Sequence, residues 1–266
     1  MTMQAFDYQD PPTVARATGA AKEKTDGKYL AGGQSLLATM KLGLASPTDL
    51  IDLANVPDLR GIKADGSAVT IGAMAKHAEV AASAEVGSRI AALAALAGMI
   101  GDRQVRNRGT LGGSLANDDP AADYPAAVLG LGATVNTDRR KIAADDFFKG
   151  LFETALAPGE LIVSVTFPVP KRAAYQKFRN PASRFAIAGV FVAQTAQGVR
   201  VAVTGAGNRG VFRLAAMEQA LARDWSVKAI ETVSVPAADL QSDLHASAEY
   251  RAHLVGVLAR RAVAAA

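Results

Sequence analysis

Two Gly-Gly pairs, each followed closely by serine, mark where the backbone of this chain could do chemistry: Gly32-Gly33-Gln34-Ser35 and Gly112-Gly113-Ser114. Glycine carries no Cβ, so amide N–H groups can converge on an oxygen-rich ligand, and a positive φ is tolerated. Consecutive amides in such a turn form an anion-binding concavity. A helix starting directly afterwards adds the positive end of its dipole. The first pair meets all three conditions: strand-like residues 28–31 run into it, and Leu36, Leu37, Met40 and Leu44 follow at helical spacing. The second meets the first two, with Thr110 and Ser114 able to donate hydroxyl hydrogen bonds. Two such turns could grip the two phosphates of one dinucleotide. Each also reads as a plain tight turn, and spacing alone does not decide.

A third glycine cluster, Gly205-Ala206-Gly207-Asn208-Arg209-Gly210, matches G-x-G-x-x-G between a strand-like run and a helical one. The helix starts late after the third glycine, no second buried strand ends at Asp224, and too little chain remains for a mononucleotide fold. It reads as a glycine-rich connection; the competing reading is a nicotinamide-dependent dehydrogenase. No P-loop, no G-x-S-x-G elbow and no metal-like spacing of His77, His245 and His253 occurs. His253 reads as a solvated surface group. Asp118, Asp119 and Asp123 cluster after the second pair, as an acid/base pair, a solvated loop or acceptors for a sugar hydroxyl.

The elements that must hold these segments are mixed. The 266 residues are 50% hydrophobic and 20% charged, enough for one large or two small domains with a sizeable core. Aromatics are only 6%, so Ala, Leu, Val and Ile must build that core. A net charge of +4, with no aromatics among the basic runs, argues against nucleic acid. The absence of cysteine excludes disulfides, a cysteine nucleophile and a thiolate-held metal or iron–sulfur centre within this chain. It fits a cytoplasmic location. The N-terminus lacks signal-peptide character, and the apolar run 90–100 is too short to cross a bilayer, so no transmembrane segment is expected. Strands are expected at 4–8, 28–31, 50–53, 69–72, 133–136, 160–167, 186–194 and 199–204. Helices are expected from Thr13 to Ala21, from Leu36 towards Pro47, and at 77–80, 89–99, 125–131, 214–222 and 249–266. Prolines and a pair of basic residues from Pro168 to Arg172 suggest a boundary. Strands and helices intermix without a βα repeat, which is an α+β pattern.

Against that background the motifs fall into a familiar set. Ala31-Gly32-Gly33-Gln34-Ser35 resembles the first flavin-binding motif of the FAD-carrying medium subunits of molybdenum hydroxylases, and Gly109-Thr110-Leu111-Gly112-Gly113-Ser114-Leu115-Ala116-Asn117 resembles the second. That family includes the medium chain of carbon monoxide dehydrogenase and the flavin domain of xanthine dehydrogenase. The likeness runs in order through Leu50-Ile51-Asp52-Leu53, Asp119-Pro120-Ala121-Ala122-Asp123, Gly159-Glu160-Leu161-Ile162-Val163 and Tyr175-Gln176-Lys177-Phe178-Arg179.

The resemblance implies an α+β chain. A two-lobed FAD-binding domain of the PCMH (vanillyl-alcohol-oxidase-like) type would occupy residues 1–170, with lobes near 1–54 and 55–170. A small α+β C-terminal domain of the carbon monoxide dehydrogenase flavoprotein type would follow at 171–266. It implies that Ala31, Gly32, Gly33, Gln34, Ser35 and Leu36 wrap the FAD pyrophosphate from one side, while Thr110, Leu111, Gly112, Gly113 and Ser114 close it from the other. Asn117 and Asp123 would contact the hydroxyl-bearing part, Ile162 would form an apolar wall, and Lys177 would stand near the flavin ring. Many relatives carry histidine where Gln34 stands, and glutamine has no titrating group, so no proton role is expected there. No catalytic acid or base and no metal ligand are expected in this chain. The implied partners are a large molybdenum–pterin subunit and a small subunit with two [2Fe–2S] clusters, as a dimer of heterotrimers. The implied role is electron relay from those clusters through FAD to an external acceptor. A scaffold of the same fold that has lost the cofactor is the non-catalytic alternative.

Overall fold

The structure, a computed structural model, describes residues 4–24 and 26–266. The first strands, β1 (Asp7–Gln9), β2 (Gly27–Leu30) and β3 (Asp49–Asp52), form a parallel sheet in the order β1-β3-β2. Parallel pairing needs crossovers, and two helices supply them. Helix α1 (Val14–Glu23) starts where the Thr13 side chain accepts the Arg16 N–H. Helix α2 (Leu36–Lys41) ends earlier than the apolar spacing suggested. Gly43 adopts φ +72°, its N–H bonds to Met40 O and the Leu44 N–H to Thr39 O. That paired closure stops the helix well before Pro47.

A second sheet is antiparallel and mixes distant strands. It contains β4 (Ile62–Ala64), β5 (Ala68–Gly72), β6 (Thr134–Thr137) and β7 (Lys141–Ala143). After the hairpin β8 (Phe148–Gly150) and β9 (Glu153–Thr154), the strand β10 (Ile162–Pro168) returns to its centre, giving the order β4-β5-β10-β6-β7. Between β5 and β6 lie α3 (His77–Ala82), α4 (Ala84–Arg89), α5 (Ala91–Gly98), α6 (Arg103–Arg106), α7 (Leu111–Asn117) and α8 (Tyr124–Leu131), and α9 (Ala144–Phe147) follows β7. The single helix expected at 89–99 is interrupted at Ile90, whose φ of −137° is not helical.

The third sheet is antiparallel in chain order: β11 (Arg172–Arg179), β12 (Ala186–Thr195), β13 (Gly198–Thr204) and β14 (Phe212–Arg213). Strand β11, whose broken alternation of charged and apolar residues gives no strand signal, pairs with β12 along its whole length. The unbroken apolar run of β12 reflects burial on both faces. Val190 and Val192 face a core with α10 (Ala215–Arg223) and α11 (Ala248–Ala265), while Phe191 and Ala193 face a core with α5 and α8. One hydrophobic cluster therefore runs from the second sheet into the third. Residues 205–210 connect antiparallel β13 to β14, and no helix opens from them. A Cβ at Gly205 would come within 2.4 Å of Ala186 O, and one at Gly207 within 2.4 Å of Gly210 O. Backbone crowding explains these glycines without a nucleotide.

Arg251 of α11 fixes this part of the molecule. It is 2% exposed, donates to Ile187 O and Gly205 O at 2.5 Å each, and pairs with Asp243 at 2.7 Å. Replacing it removes the Arg251 donor from the Ile187 carbonyl and leaves the Gly205 carbonyl with the Gln241 amide alone. The substitution Arg251→Met is expected to lower stability by about 3 kcal/mol, measured as an earlier midpoint in urea unfolding. An unchanged midpoint would show that the pin contributes nothing.

Candidate functional site

The first glycine segment leaves β2 and turns at Gly33, where φ is +71°. Gly32 lies directly on the backbone that precedes the second segment: a Cβ there would come within 2.3 Å of Arg108 O and 2.8 Å of Gly109 Cα. The two segments are thus in contact through backbone alone. The amides of Gly32, Gly33, Gln34 and Ser35 have no hydrogen-bond partner among the described residues. They lead into α2, whose flanking Ser35 makes no side-chain cap bond. A run of open amides at a helix start is the arrangement that holds oxyanions.

The second segment differs from its sequence-level reading. It is the first turn of α7, not a loop. Thr110 is its N-cap and accepts the Gly113 N–H at 3.2 Å. Residues 109–112 also run antiparallel to residues 73–77: Gly112 N–H bonds to Ala73 O at 2.8 Å, Leu111 N–H to Ala75 O at 3.0 Å, and His77 N–H to Gly109 O at 3.0 Å. Gly112 is required because a Cβ would meet Ala73 Cβ at 2.6 Å. The expected concavity of amides is therefore already spent on protein acceptors. What this side offers a ligand is hydroxyl hydrogen, from Ser114 and from Thr110, whose oxygen accepts from Gly113 and whose own proton stays free. A threonine directly before a short helical run was the available signal for a cap.

Both segments border one cavity of about 560 Å³, a size usual for a cofactor site. Ala31, Gly32, Gly33, Gln34, Ser35, Leu36, Thr110, Gly112, Gly113, Ser114, Asn117, Asp123 and Ile162 all line it. Leu111 does not: it is fully buried behind the wall, where it anchors α7 in the core. Lys177 does not either. It stands behind Asp123, donating to Asp123 Oδ2 at 2.8 Å and towards Met99 O. The motif reading missed further lining residues, among them Tyr29, Met74, His77, Ile100 and the stretch Ser183, Arg184 and Phe185. These come from four separate stretches of chain, so only the fold assembles them.

The wall carries three carboxylates. Asp123 is 3% exposed, and its other oxygen accepts from Tyr175 OH at 2.5 Å. Burial pushes Asp123 upward while the Lys177 charge opposes it. Hydrogen bonds from Arg140, at 2.9 and 3.0 Å, hold Glu160 down at about 2, with help from Ala157 N–H and Thr137. Asp119 is pushed upward by burial. Next to it, Asp118 ends α7 with φ +44°, one oxygen buried without a partner, and burial and then Asp119 raise it to about 7. His253 is exposed, as expected. Among the described residues no group of three or more His, Asp or Glu could hold a metal ion, and no helix is long and apolar enough to cross a membrane.

Comparison with known proteins places this architecture. Residues 4–170 match the family described as the FAD binding domain in molybdopterin dehydrogenase, and residues 173–266 match the CO dehydrogenase flavoprotein C-terminal domain. The chain belongs to the FAD-binding medium subunits of molybdenum hydroxylases, and it is an oxidoreductase subunit. It is 37% identical to the nicotine 6-hydroxylase medium subunit of Paenarthrobacter nicotinovorans, over 99% of this chain and 98% of that one. It is 33% identical to the carbon monoxide dehydrogenase medium chain of Hydrogenophaga pseudoflava, over 98% and 96%. Among solved structures, quinoline 2-oxidoreductase from Pseudomonas putida superposes with a TM-score of 0.90 at 28% identity, covering 100% of this chain and 98% of that chain.

Asp118 yields a prediction of its own. Its folded value lies above the usual carboxylate range, so its contribution to stability is complete below about pH 4 and is lost as pH rises through 7. Asparagine tolerates the left-handed backbone and carries no charge. Asp118→Asn should therefore gain in melting temperature over the parent as pH rises from 4 to 8. A difference that stays flat across that range would contradict the buried, unpartnered state of this carboxyl.

Proposed function

We propose that FAD occupies the 560 Å³ cavity and that this chain relays electrons from iron–sulfur clusters of a partner subunit to an external acceptor. The observation that carries the placement is the row of open amides from Gly32 to Ser35 facing hydroxyls of Thr110 and Ser114 across a backbone contact. The residues fit the group: amides and hydroxyls suit the diphosphate, Asn117 suits a sugar hydroxyl, and Ile162 with Met74 and Leu36 suit flat apolar rings. The flavin, when bound, supplies redox chemistry that can pass single electrons on one side and pairs on the other. The chain's own residues bind it, orient it and exclude water.

Asp123 is a binding and charge-setting group, with Lys177 and Tyr175 holding it, and Lys177 acts on the flavin end through that carboxylate. A large molybdenum–pterin subunit and a small subunit with two [2Fe–2S] clusters complete the enzyme, as a dimer of heterotrimers, in the cytoplasm. The chain divides into an FAD-binding domain at 1–170, with lobes at 1–54 and 55–170, and a C-terminal domain at 171–266, a reading supported by the separate sheets β1-β3-β2, β4-β5-β10-β6-β7 and β11-β12-β13-β14. The sheet connectivity around residues 205–210 gives no support to a nicotinamide fold.

The complex purified from its source should contain these two partner chains and show flavin absorbance with one FAD per copy of this chain. A Gly32→Ala variant forces the Arg108 carbonyl away and should lose most of its flavin while keeping its helical circular dichroism. The Gly19→Ala variant, with open space around its Cβ, should keep full occupancy. Full flavin in Gly32→Ala would overturn the placement, and a complex without iron–sulfur clusters would overturn the relay.

A further inference from the structure

The ladder between residues 73–77 and 109–112 presents one more polar side chain to the cavity. His77 opens α3, is 5% exposed, and borders the cavity. Its Nδ1 is sealed inside the protein without a partner, and its ring packs tilted against Tyr124 at 5.3 Å. Its Nε2 lies on the other side, against Gly109, where a Cβ would come within 2.5 Å of it. Among the described residues no protein group hydrogen-bonds Nε2; the backbone N–H of His77 bonds to Gly109 O. A buried polar atom without a partner is costly, and of the two ring nitrogens only Nδ1 is sealed in that way; Nε2 is not.

Gly109 is touched from both sides: Gly32 approaches its Cα and His77 its Cβ direction. Gly32, Thr110 and the His77 ring therefore all adjoin one residue, Gly109. Burial, and then the charge of Arg106, hold the imidazole at about 4, so it is neutral near pH 7 and carries a single proton. That proton belongs on the nitrogen with access to an acceptor, which is Nε2.

We propose that His77 is a diphosphate-binding residue, its neutral imidazole donating from Nε2 to an oxygen of the dinucleotide's diphosphate bridge beside the Thr110 hydroxyl. This rests on the FAD placement given above. It also gives the side of the cavity whose amides are spent a ring N–H donor that adds no charge. A neutral donor leaves the affinity for the diphosphate insensitive to protonation between pH 6 and 8.

The chain has three histidines, and the other two are exposed, so imidazole nitrogen signals can be assigned by single substitution. The full chain, stripped of flavin and labelled with nitrogen-15 in histidine, is titrated with FAD, with ADP and with riboflavin. FAD and ADP, which carry a diphosphate, should shift the His77 Nε2 signal and slow exchange of its proton, and riboflavin should leave both unchanged. In parallel, His77→Leu should weaken FAD binding about tenfold or more, and His77→Gln, whose amide nitrogen reaches the place of Nε2, should recover most of that loss. A His77 signal that stays fixed while FAD binds overturns the inference and leaves the FAD placement standing. A shift with riboflavin alone moves the contact away from the diphosphate and overturns it too. Failure of FAD to bind the wild-type chain overturns the placement itself. If the leucine variant does not fold, the wild-type spectra decide alone.

Discussion

The cavity exists because two stretches of backbone touch with no side chain between them. Gly32 rests against the Arg108 carbonyl, and the next few residues of that second stretch are laddered to residues 73–77. No side chain fits at Gly32 or at Gly112, so sequence freedom at these points is surrendered to geometry. The consequence is a fixed spacing between the start of α2 and the start of α7. Everything offered to a ligand follows from that spacing: open amides from one stretch, hydroxyls from the other, and a ring nitrogen beneath. The ladder is also what turns α7 so that Thr110 and Ser114 face the cavity while Leu111 and Leu115 sink into the core.

The two glycine pairs look alike in sequence and do different work. The first leaves its amides open at the end of a parallel strand, the usual place for an anion in a sheet crossed over by helices. The second uses its missing side chains to let a helix start against a neighbouring strand segment, and its amides are consumed in doing so. Similar composition therefore hides two physical roles, separable only by where each N–H points.

Much of the frame was legible. Thr13 capping α1, the apolar alternation of β10 and the run of β12 are local signals, and they produced the right elements within a residue or two. The α+β class follows from their order. What escaped was non-local. Strand β11 has no clean alternation because Tyr175 and Lys177, two apart on one face, serve a buried carboxylate and not a hydrophobic layer. The ladder joining residues 73–77 to 109–112 has no sequence signature, since backbone bonds are blind to residue type. His77 passed as an unremarkable histidine because nothing in its neighbourhood along the chain reveals that burial will strip its ring of partners. The early stop of α2 was readable at Gly43, where a glycine in the left-handed region outweighs the apolar spacing beyond it.

The electrostatics impose a last constraint. A cavity suited to a diphosphate would be spoiled by bare carboxylates, and Asp119, Asp123 and Glu160 all border it. Each is handled in its own way. Glu160 remains ionised but is bound by Arg140, so its charge is answered within the protein. Asp123 faces Lys177 on one oxygen and Tyr175 on the other. Asp119 is pushed by burial towards its neutral form. Opposite charges a few ångströms apart interact strongly in such a dry wall, on the order of 4 kcal/mol at an effective dielectric of 20. Asp123 has Lys177 as its one ion-pair partner among the described residues, just as Glu160 has Arg140. Tyr175 can share that carboxylate only because Gly189 on β12 leaves room: a Cβ there would sit 2.3 Å from the phenol oxygen. The charge balance of the cavity thus depends on a glycine in the third sheet, which ties the C-terminal part of the chain to the site as firmly as the hydrophobic cluster they share.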